Sequence, residues 1–227
     1  MHRRTVTAIA VSVMLSGCVS TKTVPIASTT MSSMSNQTIS YTDWPTPAFS
    51  ATTSGGVAVG ALFGAVGGAA MAIRAINEGN ALVKVNQITD PADSIALSLT
   101  NSLATSASAT VVGPVVAAGA KPADIAAAAP GAHYVVDVRT IGWGTMYYLA
   151  DLSRYGIIYQ ARMQVIDTTT KAVVAEAYCI QRPVKGQAST APTYNELVAD
   201  GAAKLKAMLA QASENCAAQF RTEALKL

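Results

Sequence analysis

The sequence is poor in aromatic residues and in charge, and each shortage excludes a class of protein. Aromatic residues make up 6% of the 227 positions, so a core must be built mostly from Ala and Val. Charged residues make up 13%, which suits a membrane-associated chain better than a highly soluble enzyme. Removing Arg3 and Arg4 with a signal segment leaves 14 of the 16 basic residues against 13 acidic ones. A charge near +1 provides no field for binding nucleic acid.

The motifs of common enzymes and metal sites are also missing from the sequence. Beyond the amino-terminal segment there is one histidine, His133, and no G-x-S-x-G pattern that would hold a nucleophile. No glycine run is followed by the G-K-[ST] of a phosphate-binding loop. Asp137, Asp151 and Asp167 are expected on a strand face, in a loop and in a turn, and not in one metal-binding cluster. The sequence therefore predicts a protein that is not an enzyme and binds no metal.

The first seventeen residues have the three parts of a secretory signal peptide. A basic start, "MHRR", precedes a short apolar run, "TVTAIAVSVML", and two small residues before Cys18. The ending Leu-Ser-Gly-Cys resembles the lipobox of bacterial lipoproteins. This resemblance implies cleavage before Cys18 and acylation of its sulfur and its amine, so that several acyl chains anchor the protein. The covalent lipid on Cys18 is the only prosthetic group expected. The residue after Cys18 is Val19, and not the Asp that would resemble an inner-membrane retention signal. The expected location is therefore the outer membrane, on its periplasmic side or at the surface.

The residues after Cys18 are predicted to form a flexible tether over 18–53. Ser, Thr, Met and Pro dominate this stretch, and no hydrophobic period is sustained along it. Within it, Trp44 stands beside Pro45 in "YTDWPTPAF" and is expected to lie against a surface. A tether of this kind would let a domain stand off the membrane.

A glycine-rich segment follows, and it carries no charge from residue 54 to residue 73. As a helix it would be about 30 Å long, close to the thickness of a bilayer core. Gly56, Gly60, Gly64 and Gly68 recur at every fourth position, and such a stripe lets two helices approach closely. We predict a glycine-zipper helix over 54–78 that inserts into a membrane or self-associates. A helix or hairpin packed within the protein and a linker stay open as alternatives.

Residues 80–227 are predicted to form an α/β domain, with a single mixed sheet and helices on one face. The segment "ALVKVNQI" alternates like a strand, and Asp90 followed by Pro91 begins a helix. "TVVGPVV" predicts a strand and "KPADIAAAAPGA" a short helix. "HYVVDVRTIGW", "YGIIYQARMQVID" and "KAVVAEAYCIQ" predict three strands, the last two joined as a hairpin. Thr193 and Glu196 form a capping box that begins the final helix.

The order of these elements, from Ala81 to Phe220, resembles the α/β domain of periplasmic assembly lipoproteins. Examples are the curli secretion channel lipoprotein and the amino-terminal domain of the Tol-system propeller protein. The glycine-rich segment departs from that pattern and looks more like the apolar insert of conjugative surface-exclusion lipoproteins. The resemblance implies an assembly, docking or structural role in an envelope complex, with further copies of the chain or other envelope proteins as partners. It transfers no functional residue.

A group of large side chains lies between two predicted strands: Trp143, Met146, Tyr147 and Tyr148. Two interpretations are open, because exposed aromatic residues mark a partner contact, whereas buried ones would continue a strand that packs under a helix. The first interpretation, or the polar face of the sheet, supports an alternative function as a periplasmic module that binds a glycan or a peptide. Asp137 and Arg162 are expected to pair across strands on that face.

Cys179 and Cys216 can form a disulfide in an oxidising compartment. We assume a straight strand and a straight helix that share an end near Pro183. Cys179 then lies about 13 Å from that end along the strand, and Cys216 lies about 35 Å from it along the helix. Because disulfide Cα atoms must approach within about 7 Å, the bond requires the final helix to stop and turn back.

Overall fold

The computed structural model describes residues 23–52, 64–184 and 186–227, with side chains in the second range from Gly68 onward. Cys18 and the predicted signal segment lie outside these residues. The described helices and strands, in chain order, are α1 (Ser28–Ser33), β1 (Thr38–Thr42), β2 (Phe49–Ala51), α2 (Gly64–Asn86), α3 (Pro91–Ala107), β3 (Thr110–Val115), α4 (Pro122–Ala128), β4 (Tyr134–Tyr148), β5 (Asp151–Asp167), β6 (Val173–Gln181) and α5 (Tyr194–Phe220). A π-helical turn, Arg221–Leu225, extends α5. The predicted α/β class with one mixed sheet is confirmed.

The sheet has six strands in the order β3-β1-β4-β5-β6, and β2 pairs with β4 beyond the end of β1. β1 runs parallel to β3 and to β4, whereas β4, β5 and β6 are antiparallel neighbours. The β4–β5 pair forms a long ribbon from Tyr134 opposite Asp167 to Tyr148 opposite Asp151. The ribbon gives the sheet two distant ends, one at the β4–β5 turn and one at the β5–β6 turn.

The two faces of the sheet are covered differently. The larger core lies between one face and the long helices α3 and α5, and includes Ile39, Val136 and Met163. On the other face, Ile125 of the short helix α4 packs with Val135 and Ile166. Helices therefore contact both faces and not one face as the sequence predicted, because the outward face of the sheet also carries apolar side chains near the β5–β6 turn.

Residues 23–52 belong to the folded domain, so the predicted flexible tether is wrong for this range. β1 lies between β3 and β4 in the sheet, and Ile39 and Phe49 are fully buried. The polar residues of β1 are accommodated by hydrogen bonds: the Ser40 hydroxyl donates to the carbonyl of Gly113 over 2.7 Å. Strands of five and three residues are too short to show a sustained period, which explains why the composition was misleading.

The helix predicted over 54–78 extends further towards the carboxyl terminus than the sequence predicted. Gly64–Asn86 is one helix of 23 residues, so "ALVKVNQI" forms its last turns and the predicted strand there is wrong. Leu82 and Val83 pack against the larger core, whereas Val85 is 79% exposed, an arrangement that fits one helical face. A linker is excluded for residues 64–73. Gly56 and Gly60 lie outside the described residues, so the zipper stays a prediction.

The later helix boundaries follow their predicted signals. The Asp90 carboxylate caps α3 by accepting a hydrogen bond from the Ala92 N–H over 3.0 Å, and Pro91 takes the first helical position. Thr193 and Glu196 form the capping box of α5. The helical backbone of α5 is interrupted from Ala199 to Ala202, where three residues have positive φ.

A disulfide joins Cys179 of β6 to Cys216 of α5, with the Cα atoms 5.5 Å apart. The predicted obstacle to this bond was wrong because the strand and the helix share no end. After β6, the chain continues along β5 until Thr193 bridges to Arg154, whereas Cys179 pairs with Ala161. α5 therefore begins about 23 Å beyond the level of Cys179 and runs back towards it.

Candidate functional site

The aromatic residues of β4 mostly face inward. Tyr148 is buried, and Trp143 is 2% exposed, donates its indole N–H to the carbonyl of Pro47 over 3.1 Å and contacts the Phe49 ring edge-on at 4.9 Å. The interpretation as a continued strand is confirmed, and the exposed loop is wrong. Met146 is 36% exposed and Tyr147 is half-buried, so these two residues alone keep any surface for a partner.

Exposed apolar side chains occur on the β4–β5 hairpin, on α2 and just after β6, and we call this set the apolar end. Its members are all large, uncharged and at least one third exposed: Ile73, Ile76, Met146, Leu149, Leu152 and Val184. Leu149, at the turn itself, is 89% exposed. Exposed single apolar residues are common, but a group at one end of a fold is typical of an interaction surface.

The direction of α2 places its amino-terminal half at this end. Asp90, just after α2, accepts a hydrogen bond from Thr140 over 2.5 Å. Further back along the helix, the Cα of Gly79 faces the backbone of β2, which pairs with residues 143–145 of β4. The helix therefore travels along β4 towards the β4–β5 turn as it is followed back to Gly64. Gly68, Ala69 and Ala70 are exposed, and a Cβ on Gly68 would have no atom of the described chain within 4 Å.

The first described residues lie far from the apolar end. Val24 pairs with Glu176 of β6, which lies opposite Gln164 of β5. Thirteen residues of β5 separate Gln164 from Asp151 at the turn, a length of about 43 Å. Cys18 precedes Thr23 by five residues, which span at most about 18 Å. The predicted anchor on Cys18 would therefore hold the domain near the membrane at a point remote from the apolar end.

The outward face of the sheet carries a connected set of polar side chains. Asp137 is fully buried and accepts hydrogen bonds from the Thr42 hydroxyl at 2.9 Å and from the Trp44 indole N–H at 2.7 Å. Arg162 approaches the same carboxylate at 3.4 Å, so the predicted pair exists, although Asp137 is not exposed as expected. The guanidinium of Arg139 lies 4.5 Å above the Trp44 ring. Trp44 thus lies against a surface, as predicted.

This polar face continues onto β6. Gln164 is 6% exposed and donates through its side-chain N–H to Glu176 over 2.7 Å, and the Tyr178 hydroxyl also donates to that carboxylate. Within the described part of the chain, the Gln164 side-chain oxygen and the Arg162 Nε have no hydrogen-bond partner although both are buried. A buried polar atom without a partner in the protein is a position where an ordered water or a ligand atom would satisfy it.

Three carboxylates lie near the start of α3. Burial raises the pKa of Asp90, in spite of the hydrogen bonds from Ala92 and Thr140. Burial, and then the charges of Asp90 and Asp43, raises the pKa of Asp93 to about 6. Burial also raises the pKa of Tyr159, whose hydroxyl lies 3.2 Å from the Thr140 hydroxyl oxygen. Among the described residues, no group of three or more His, Cys, Asp or Glu is arranged to hold a metal ion.

His133, Asp151 and Asp167 take structural positions. An imidazole nitrogen of His133 lies 3.0 Å from the Thr38 hydroxyl at an exposed strand start. Asp151 and Asp167 accept hydrogen bonds within their own turns, from Ser153 and from the backbone of Thr169 and Thr170. The three residues are not brought together.

No family model matches this chain, and no curated protein matches it either. Over residues 23–52, 64–184 and 186–227, no helix combines the length and apolar character needed to cross a membrane.

Proposed function

We propose that this chain is an outer-membrane lipoprotein without catalytic activity, and that it serves as a docking, assembly or structural component of an envelope complex. The observation that carries this proposal is the apolar end. Five of its six residues lie on α2 or the β4–β5 hairpin, and α2 is fixed to the fold mainly where Gly79 meets β2. The lipid on Cys18 supplies the membrane attachment, so the apolar end is left to contact protein.

The partner that the apolar end fits best is a second copy of this chain. Gly68, Ala69 and Ala70 near the start of α2 are exposed, and a surface of small residues lets another helix approach closely. A mature charge near +1 opposes self-association only weakly. Two copies anchored in one leaflet would present this same surface at the same height above the membrane.

The sharpest test of self-association is Gly68→Leu. Because nothing described lies within 4 Å of a Cβ at Gly68, the larger side chain leaves the monomer unstrained and clashes only with a partner helix. We expect chemical crosslinking of the full chain in mild detergent to give a ladder of oligomers that Gly68→Leu removes without lowering the melting temperature. Ala207→Leu, at an exposed position of α5, is the matched control and should keep the ladder. A wild-type chain that stays monomeric contradicts the proposal.

The anchor is tested separately by Cys18→Ser. We expect the wild-type chain to sediment with outer membranes in a sucrose gradient and to carry acyl chains by mass spectrometry. The Cys18→Ser chain should carry none and should lose membrane association. An unacylated wild-type chain refutes the anchor and leaves the self-association test in place.

A periplasmic module that binds a glycan is the second candidate, and the Trp44 surface favours it. Indole rings next to charged side chains are suited to stacking on sugars. Arg139 lies over this ring, and Arg162 contacts the Asp137 carboxylate that accepts the indole N–H. Co-sedimentation with purified peptidoglycan should fall on Arg139→Gln, which leaves the Trp44–Asp137 hydrogen bond intact. Arg154→Gln, remote on the β4–β5 hairpin, should not change it. Equal sedimentation of both variants with the wild type argues against this function.

A further inference from the structure

A groove lies between α3 and α5 on the side of these helices away from the sheet. It encloses about 520 Å³, and its floor is apolar, with Ile88, Ile95, Leu209 and Ala217. Ser94, Ser98 and Ser213 line it with hydroxyl groups, and the Ser94 and Ser213 oxygens are 3.1 Å apart. Arg221, in the π-helical turn, closes one end.

Arg221 is a half-buried cation that neutral groups hold in place. Its Nε donates to the Ser102 hydroxyl oxygen at 3.2 Å, and its Nη2 donates to the Ser98 hydroxyl oxygen at 2.5 Å. No ion pair joins Arg221 to any carboxylate of the described residues, although other arginines such as Arg154 and Arg162 have such partners. The serines therefore orient the guanidinium without neutralising its charge, and an anion in the groove would complete it.

The donors at this end suit a phosphate group. Because the Ser98 oxygen accepts the bond from Arg221, its own hydrogen can donate to a ligand, next to the remaining N–H groups of the guanidinium. A planar arginine fork beside a hydroxyl is a common arrangement for phosphate oxygens. Glu214 also lines the groove, but it lies two helical turns from Arg221, about 10 Å along α5, so a phosphate is favoured at the Arg221 end.

The start of the described chain lies beside this end of the groove. The Ile26 N–H donates to the carbonyl of Ala224 over 2.7 Å, and Ala224 belongs to the same π-helical turn as Arg221. Cys18 precedes Ile26 by eight residues, which reach at most about 28 Å. A lipid on Cys18 would therefore hold Arg221 within reach of phospholipid headgroups.

We propose that the groove between α3 and α5 binds a phosphate group, held by Arg221 and Ser98. The phosphate belongs to a membrane headgroup or to a soluble phosphate ester, since both offer the same oxygens. Phosphate binding in the groove does not require the lipid anchor. Only the assignment of the phosphate to a membrane headgroup rests on the function proposed above.

The test follows the Nε–H resonance of Arg221 by NMR in the full chain, with ¹⁵N-labelled arginine. In a phosphate-free maltoside detergent, titration with inorganic phosphate should shift this resonance in a saturable way. Ser98→Ala should weaken the affinity by about fivefold, because it removes one hydrogen bond and suits a helix. Arg221→Gln, followed through the Ser98 amide, should weaken it at least about tenfold. Glu214→Gln should tighten it roughly threefold by removing a like charge.

Arg182→Gln is the matched control, because Arg182 is exposed and does not line the groove; it should leave the phosphate affinity unchanged. A phospholipid nanodisc without free phosphate identifies the source. The bound-state resonance in the nanodisc assigns the site to headgroups, and its appearance only with added phosphate assigns it to a soluble ester. No saturable shift in either medium, or a shift that survives Arg221→Gln, overturns the proposal. An unacylated chain that still binds inorganic phosphate would refute the anchor but not this site.

Discussion

The two longest described helices, α2 with 23 residues and α5 with 27, differ in how the fold uses them. α5 buries a stripe of side chains against the sheet and is tied to β6 by the disulfide. α2 has Gly79 against β2 and core contacts in its last turns, while Ile73 and Ile76 face solvent. The apolar face of α5 is buried within the domain, whereas part of the apolar surface of α2 stays exposed.

The difference follows from the spacing of large side chains. After the interruption at Ala199–Ala202, α5 has buried residues at intervals of three or four, which therefore share one face: Leu205, Leu209, Ala212, Cys216 and Phe220. The first half of α2 has small residues with Met71, Ile73 and Ile76, which do not share one narrow face. A helix with apolar residues on several sides needs covering from more than one direction, and the described sheet covers one side only. This is why α2 is the element to which we assign a partner.

Among the substitutions that test the difference between α5 and α2, removal of the disulfide should lower the free energy of unfolding most. It removes from α5 a covalent bond that α2 lacks. The bond closes a loop of 37 residues, and the double variant Cys179→Ala with Cys216→Ala should lower the free energy of unfolding by roughly 4 kcal/mol. Urea denaturation of oxidised wild type, reduced wild type and the double variant measures this. Equal midpoints for all three would show that packing alone holds α5 in place.

Gly79→Ala tests the close contact between α2 and β2. A Cβ at this position would run into the carbonyl oxygen of Phe49 and would come within 2.9 Å of the backbone nitrogen of Ala51. Because these are backbone atoms that cannot rotate away, we expect a loss of about 2 kcal/mol and faster hydrogen exchange of the amides in β2. Gly68→Ala is the control in open space, and should stabilise by up to about 1 kcal/mol through helix propensity. If both substitutions stabilise the protein, α2 does not dock through Gly79.

Local signals in the sequence predicted α3, α5 and the β5–β6 hairpin correctly, because a cap residue or an alternation lies within the element itself. β1 was missed because its stability comes from pairing with residues 70 to 95 positions away, as Thr38 does with Thr110 and Ile39 with Tyr134. The aromatic residues of β4 were identified, but their burial depends on Pro47 and Phe49 from a segment that was read as a tether.

The groove could not be predicted, because Ser98 and Arg221 are 123 residues apart and neither has a motif around it. The sequence alone does not decide whether the disulfide forms, for a related reason. The distance between the two cysteines depends on the path of the chain between β6 and α5, and the Arg154–Thr193 bridge sets that path. Contacts between distant segments determine both features, whereas a single sequence shows only the spacing within each segment.

The smallest expected effect concerns the first turn of α5, which is capped by Thr193 and Glu196. The backbone N–H and then the hydroxyl of Thr193 donate to the Glu196 carboxylate and lower its pKa below the ordinary value. A lowered pKa means that the charged carboxylate stabilises the fold above the ordinary glutamate pKa, and that this contribution is lost as the pH falls through the folded-state pKa. Glu196→Gln keeps the hydrogen-bonding shape and removes the charge, so it should melt slightly below wild type at pH 7, and the difference should shrink as the pH falls through the folded-state pKa. Equal melting of the two proteins at pH 7 would mean that the cap acts through its hydrogen-bonding shape and not through charge.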